Sequence, residues 1–252
     1  MAEIAGKQKK QSGLHAGHRQ RMRHRVRQSG AASLADHELL EVLLYFTLPR
    51  GDTNALAHQL LVRFGSLSRV LEAEYDELLE VPGVGENTAF LLSFLPTLFR
   101  RYQMDRNGKK RIFGSTRAFE QYVCDLFIGE NREVLYLICL NAGMHVLNSV
   151  RLAEGDIGSV KISVAEVVRA AKKQHARNVV LAHNHPGGTL KASNEDFEVT
   201  RRCMRALSEA GINLVEHLLV SGDKTFSFAE HNYMYAIREE VQNPLKQPDD
   251  DF

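Results

Sequence analysis

The chain has 252 residues, of which 44% are hydrophobic and 25% charged, with a net charge of +1. Those values fit a soluble globular protein of one or two domains with a real core. Three cysteines without short spacing exclude a secreted disulfide scaffold, and no apolar run approaches the roughly 18 residues of a membrane span. Met1 to Gly13 lacks the apolar stretch of a secretion signal. The expectation is a cytoplasmic protein with no membrane partner.

The near-zero charge conceals an uneven distribution. Residues 1–30 hold Lys7, Lys9, Lys10, Arg19, Arg21, Arg23, Arg25 and Arg27 against the single acid Glu3. Asp249, Asp250 and Asp251 lie near the other end. We read 1–30 as a basic, partly disordered segment with a helix over His15–Gln28, in which Arg19, Arg23 and Arg27 share a face. A solvated basic tail and weak, non-specific contact with DNA phosphates are both open readings.

Residues 31–104 read as a helical domain. Ser33 or Asp36 is the expected cap of the helix containing Leu39 to Leu44. Asn54 is the expected cap of Ala55–Phe64, with Gly65 ending it. Val81-Pro82-Gly83-Val84-Gly85 leads into a further helix to about Tyr102. This stretch resembles a helix-hairpin-helix. In that module, glycine amides at a helix N-terminus approach a DNA phosphate, which would give Gly83 and Gly85 that role. An ordinary interhelical turn is the alternative.

Residues 105–115, charged and glycine-containing, are the expected linker. Beyond it the pattern changes to a mixed one: a helix over Phe119–Phe127, a strand over Val134–Leu140, and a turn at Asn141-Ala142-Gly143. A strand over His145–Leu152 and a helix opened by Ser163 with a Glu166 capping box follow. Asn178–Ala182 reads as a buried strand, Asn194–Ala210 as a helix, and Leu214–Ser221 and Thr225–Phe228 as strands. Residues 116–237 form the expected second domain and 238–252 an acidic tail.

The chemistry concentrates at the end of the Asn178 strand. His183 and His185 lie two apart, so in a strand both imidazoles point to one side. Pro186, Gly187 and Gly188 end the strand, and Asp196 falls in the first turn of the next helix. Two imidazoles and a carboxylate are a three-ligand set for catalytic zinc, leaving a fourth position for water. One Zn2+ per chain is expected. Too few residues follow His185 for a (β/α)8 amidohydrolase barrel, which needs roughly 200 or more.

His183-x-His185, then Ser193 and Asp196 at their spacing, resembles the JAMM signature of the MPN metallopeptidase family. The string His183-Asn184-His185-Pro186-Gly187-Gly188 looks like its RadC branch. Leu39-Leu40-Glu41 and Leu60 to Leu67 resemble the N-terminal region of that branch. Two details depart from it: Gly188 stands where serine is usual, and Thr189 to Ala192 lacks the usual proline. The resemblance implies an α/β chain of the α+β kind: an all-helical N-terminal domain with a helix-hairpin-helix-like motif, then a mixed α/β MPN (JAMM) domain. It implies a zinc-dependent hydrolase of peptide or isopeptide bonds, with an unspecified protein or peptide substrate. By the same resemblance a glutamate ahead of a strand is the general base, and Glu133 fits, with Glu154 as its rival. Ser193 would help hold the oxyanion. The alternative is a DNA-associated protein whose metal domain is structural or vestigial. His217 reads as a packed strand residue, with partnership to the ligand set as the other reading.

Overall fold

The computed structural model describes residues 17–107, 116–155 and 163–243. The polar start, positions 108–115 of the expected linker and positions 244–252 of the acidic tail lie outside them. The chain divides into two compact units, Met1–Leu98 and Phe99–Phe252.

The first unit is helical: α1 (His18–Ser29), α2 (Asp36–Leu44), α3 (Thr53–Phe64), α4 (Leu67–Glu72), α5 (Tyr75–Leu79) and the start of α6 (Glu86–Asn107). Its core gathers Leu40, Leu44, Leu56, Leu60, Val70, Leu78 and Leu92. These residues recur at helical spacing, so each helix turns one apolar stripe inward.

Two expected caps are corrected. Ser33 closes a 3-10 turn and Asp36 is the first helical residue of α2, where the Glu38 carboxylate accepts the Ala35 amide at 3.0 Å. In α3 the cap is Asp52, which accepts from the amides of Asn54 and Ala55. Asn54 is drawn elsewhere: its amide donates to the buried Glu41 carboxylate at 2.9 Å. Gly65 ends α3 in the left-handed conformation, φ 90°. Helix α6 passes Tyr102 and includes Asp105–Asn107 of the expected linker.

The second unit adds α7 (Thr116–Leu126), β1 (Val134–Leu140), β2 (Val146–Glu154), α8 (Val164–Lys173), β3 (Asn178–Asn184), α9 (Asn194–Glu209), β4 (Asn213–Ser221), β5 (Lys224–Ser227) and α10 (Tyr233–Gln242). The five strands form one sheet in the order β2-β1-β3-β4-β5. β3 and β4 run parallel, and the other pairs are antiparallel. Parallel neighbours require a crossover, which α9 supplies.

Helices cover both faces of this sheet. Phe119, Tyr122, Val123 and Leu126 of α7 pack with Ile138, Val180 and Leu218. Val167 and Ala171 of α8, Cys203 and Leu207 of α9 and Ile237 of α10 pack with Leu137, Leu181 and Leu219 on the other face. Every residue of β1 is buried, which is why its sequence is apolar without alternation. Ser163 accepts the Glu166 amide and so begins α8. The result is an α/β architecture: a helical region, then a mixed sheet between helices.

Candidate metal centre

The site lies at the C-terminal end of β3. His183 is 1% exposed and His185 is half-buried at the strand's exit. A turn follows, closed by the Gly188 amide donating to the His185 carbonyl at 3.0 Å. Gly188 takes φ +84°, a conformation that side chains rarely adopt, whereas Gly187 stays at ordinary φ. Pro186 and this pair of glycines swing the chain out toward α9.

Asp196 is delivered by the cap of α9. Ser193 is the N-cap residue, and its hydroxyl accepts the Asp196 amide at 3.1 Å. In return Asp196 Oδ2 accepts from the Ser193 amide and hydroxyl, both at 2.8 Å. A reciprocal capping box therefore pins one carboxylate oxygen and leaves the other facing the imidazoles. Oδ1 stands 3.0 Å from His183 Nε2, and the two Nε2 atoms of His183 and His185 are 2.8 Å apart. The three ligating atoms lie within 4.8 Å of one another, and no other metal-ligating group of this kind occurs among the described residues. Burial raises the Asp196 carboxyl, but the neighbouring imidazole of His183 and the Ser193 hydrogen bonds outweigh it. Asp196 is thus held below the usual carboxylate range, in the ionised form a metal needs.

A chain of hydrogen bonds sets the tautomer of His183. The Thr200 hydroxyl donates to the Asp196 carbonyl at 2.5 Å, so toward His217 Nδ1, 2.6 Å away, its oxygen accepts. His217 is buried, and that burial, reinforced by the neighbouring imidazole of His183, drives its pKa well below the ordinary value. It is neutral, with its one proton on Nδ1. His217 Nε2 therefore accepts from His183 Nδ1 at 2.9 Å. His185 Nδ1 donates to the Thr189 carbonyl at 2.7 Å. Both Nδ1 atoms are occupied, and both Nε2 atoms face Asp196. That donor set, two imidazole nitrogens and a carboxylate oxygen with their other atoms tied down, fits zinc.

His217 is therefore a partner of the ligand set as well as a packed residue. Thr200 escaped the sequence reading, although its position four residues after Asp196 puts it on the same face of α9. Asn184 escaped it too, because nothing in a strand sequence announces that an amide will reach across to its neighbour.

The two candidate glutamates lie at the same end of the sheet, one just before β1 and one at the end of β2. β1 pairs with β3 so that Leu135 lies opposite His183. Glu133, half-buried, lies one residue before β1 and two before Leu135, and its carbonyl accepts the Gly155 amide at 2.8 Å. Glu154 lies opposite Val134, whose side chain belongs to the face away from His183. Its carboxylate meets Arg151 at 2.9 Å and Arg132 at 3.7 Å.

The candidates for nucleic-acid contact all lie in the first unit. Arg19 donates to the Gly51 carbonyl at 3.0 Å and covers the Tyr45 ring at 4.8 Å. Arg23 lies 5.8 Å from the same ring, and Arg27 is exposed in the last turn of α1. Gly83 and Gly85 lie in an exposed turn between α5 and α6, Gly83 with φ +94°. The Gly85 carbonyl accepts the amides of Thr88 and Ala89 and so starts α6, where Glu86 occupies the first turn.

A mixed sheet between helices, with His-x-His at a strand exit and an aspartate on the next helix cap, defines the JAB (JAMM) class. Residues 113–233 match the family model of the RadC-like JAB domain, and residues 15–90 match that of the UPF0758 N-terminal region. The chain belongs to the RadC-type proteins.

Proposed function

We propose that the protein is a zinc-dependent hydrolase of the JAMM type, cleaving a peptide or isopeptide bond in a protein or peptide substrate. The observation that carries this reading is the pair of Nε2 atoms turned toward Asp196 while each Nδ1 is held elsewhere. Such an arrangement costs burial of three polar groups, and a metal is what would repay it. When bound, zinc supplies Lewis acidity and brings the pKa of water down to about 7.

The chain's own groups do the rest. His183, His185 and Asp196 hold the ion, and His217 and Thr189 orient the two imidazoles. Glu133 takes a proton from the attacking water and passes it to the leaving amine. Ser193, once its hydroxyl turns from Asp196, donates to the oxyanion. The three buried cysteines, with Cys139 and Cys203 pushed up to about 12 by burial, are inert thiols that suit a cytoplasmic setting. No helix among the described residues is long and apolar enough to cross a membrane.

The test combines metal content with turnover. Purified protein should carry zinc and hydrolyse members of a peptide and isopeptide library, and a chelator should stop it. Metal-free protein that cannot be loaded would end this reading. Weak DNA contact through Arg27 and the Gly83–Gly85 turn is a second reading, supported by the exposure of both.

A further inference from the structure

Asn184 stands between the two imidazoles in sequence, yet its side chain belongs to the opposite face of β3. It is 5% exposed. Its Oδ1 accepts the Val134 amide at 2.7 Å, and its Nδ2 donates to the carbonyls of Arg132 at 2.9 Å and Glu130 at 3.2 Å. A primary amide offers two donor hydrogens and a carbonyl oxygen, and all of these are engaged. Every partner lies in the short run 130–134 that enters β1 and contains Glu133.

The β1–β3 pairing ends at Leu135 and His183. Beyond it, the Asn184 side chain supplies the bonds from β3 that a longer ladder would have made. A second anchor holds the start of the same run. The Glu130 carboxylate accepts from Arg100, from Arg151 at 2.9 Å and from the Tyr136 hydroxyl at 3.2 Å.

We propose that Asn184 is the positioning residue for Glu133: its amide staples the run 130–134 to the strand that carries the ligands, fixing the carboxylate over the metal site. One residue step along β3 thus couples ligand to base through two sheet faces. The inference rests on the reading of Glu133 as the proton carrier.

The test uses the full chain loaded with Zn2+ or Co2+. Asn184→Ala should keep stoichiometric metal, because His183 and His185 point to the other face. Exchange of the Val134 amide with deuterium should speed up by about tenfold or more, while amides in the middle of β1 keep their protection. The pH profile of the Co2+ visible spectrum should move to that of Glu133→Gln, and the double variant should add nothing. Asn184→Asp keeps the acceptor but sets an oxygen against two carbonyls, so it should loosen the run at least as much as alanine does. An unchanged Val134 exchange rate in both variants overturns the staple, as does a spectral shift that adds to that of Glu133→Gln. Should Asn184→Ala not fold, Asn184→Asp decides on the same readouts, and a Val134 amide exchanging freely in the unaltered chain overturns the staple without any variant. A Co2+ profile untouched by Glu133→Gln instead removes Glu133 as the base. Absence of metal binding in the unaltered chain removes the hydrolase reading, with the exchange rates still deciding the staple.

Discussion

His183 Nδ1 donates to His217 Nε2 at 2.9 Å, deep between the sheet and α9. A second imidazole is an uncommon orienting partner for a candidate ligand, since carboxylates and carbonyls usually take that place. It serves here because Thr200 fixes the proton of His217 on the far nitrogen. His217→Ala strands the His183 N–H in a buried place, and Thr200→Val frees the tautomer. Each should weaken zinc binding by about 10- to 100-fold, read by competition with a chromogenic chelator. Unchanged affinity in both variants would remove the relay from the account of the site.

The ligand set itself is tested by loss. The unaltered chain should hold one zinc per molecule. His183→Ala and Asp196→Ala should each abolish that occupancy, because two remaining donors do not close a site. Elemental analysis after gel filtration is the measurement, and full occupancy in either variant would refute the assignment.

Glu133→Gln keeps size and removes the base. Zinc content and fold should persist while turnover falls by a factor on the order of 10² to 10⁴. Glu154→Gln should do much less, because Glu154 shares the face of Val134, away from His183, and is engaged with Arg151. Equal rates for the unaltered chain and Glu133→Gln would pass the role to another group.

Arg25 donates to both oxygens of Glu38, at 2.7 and 2.8 Å. Those bonds, with the Ala35 amide, hold the Glu38 carboxyl down to about 2. A depressed carboxyl contributes stability above its ordinary pKa, about 4.5, and loses that contribution as pH falls through about 2. Arg25→Ala should move the Glu38 midpoint up toward the ordinary value in an NMR titration. The pair is exposed, so the shift should shrink in high salt. A midpoint that stays put on removing Arg25 would contradict the attribution.

Binding of the full chain to random duplex DNA should be weak, indifferent to sequence and steeply salt-dependent. The slope is about 0.9 log unit per log salt for each phosphate contact. Arg19 and Arg23 are engaged at Gly51 and Tyr45, and Glu86 repels phosphate at the start of α6. Few contacts are therefore expected, and removal of residues 1–30 should lower the slope. A flat salt response would leave the basic segment and the Gly83–Gly85 turn as scaffold.

Residue pattern alone determined the helical region followed by a mixed sheet with helices, the five strands, and the grouping of His183, His185 and Asp196, whereas the helix Tyr233–Gln242 went unread and runs into the expected acidic tail. Apolar periodicity separates helix from strand because each element must bury one face or two. His-x-His at a strand exit is legible because alternate residues share a face. A serine three residues before an aspartate is legible because a helix start needs a cap. What only the tertiary structure decided lies in contacts between elements distant in sequence. Asn54 fits the pattern of a cap, but the buried Glu41 carboxylate competes for its amide, and Asp52 takes the role. Glu133 and Glu154 are equivalent as letters, and it is the β1–β2 register that sets Glu154 opposite Val134, on the face away from His183 and beside Arg151. Thr200, His217 and Asn184 join the site only because α9 packs on the sheet and β3 lies beside β1 and β4. Side-chain hydrogen bonds reach about 3 Å, and no spacing along one strand or helix encodes which neighbour will stand within that reach.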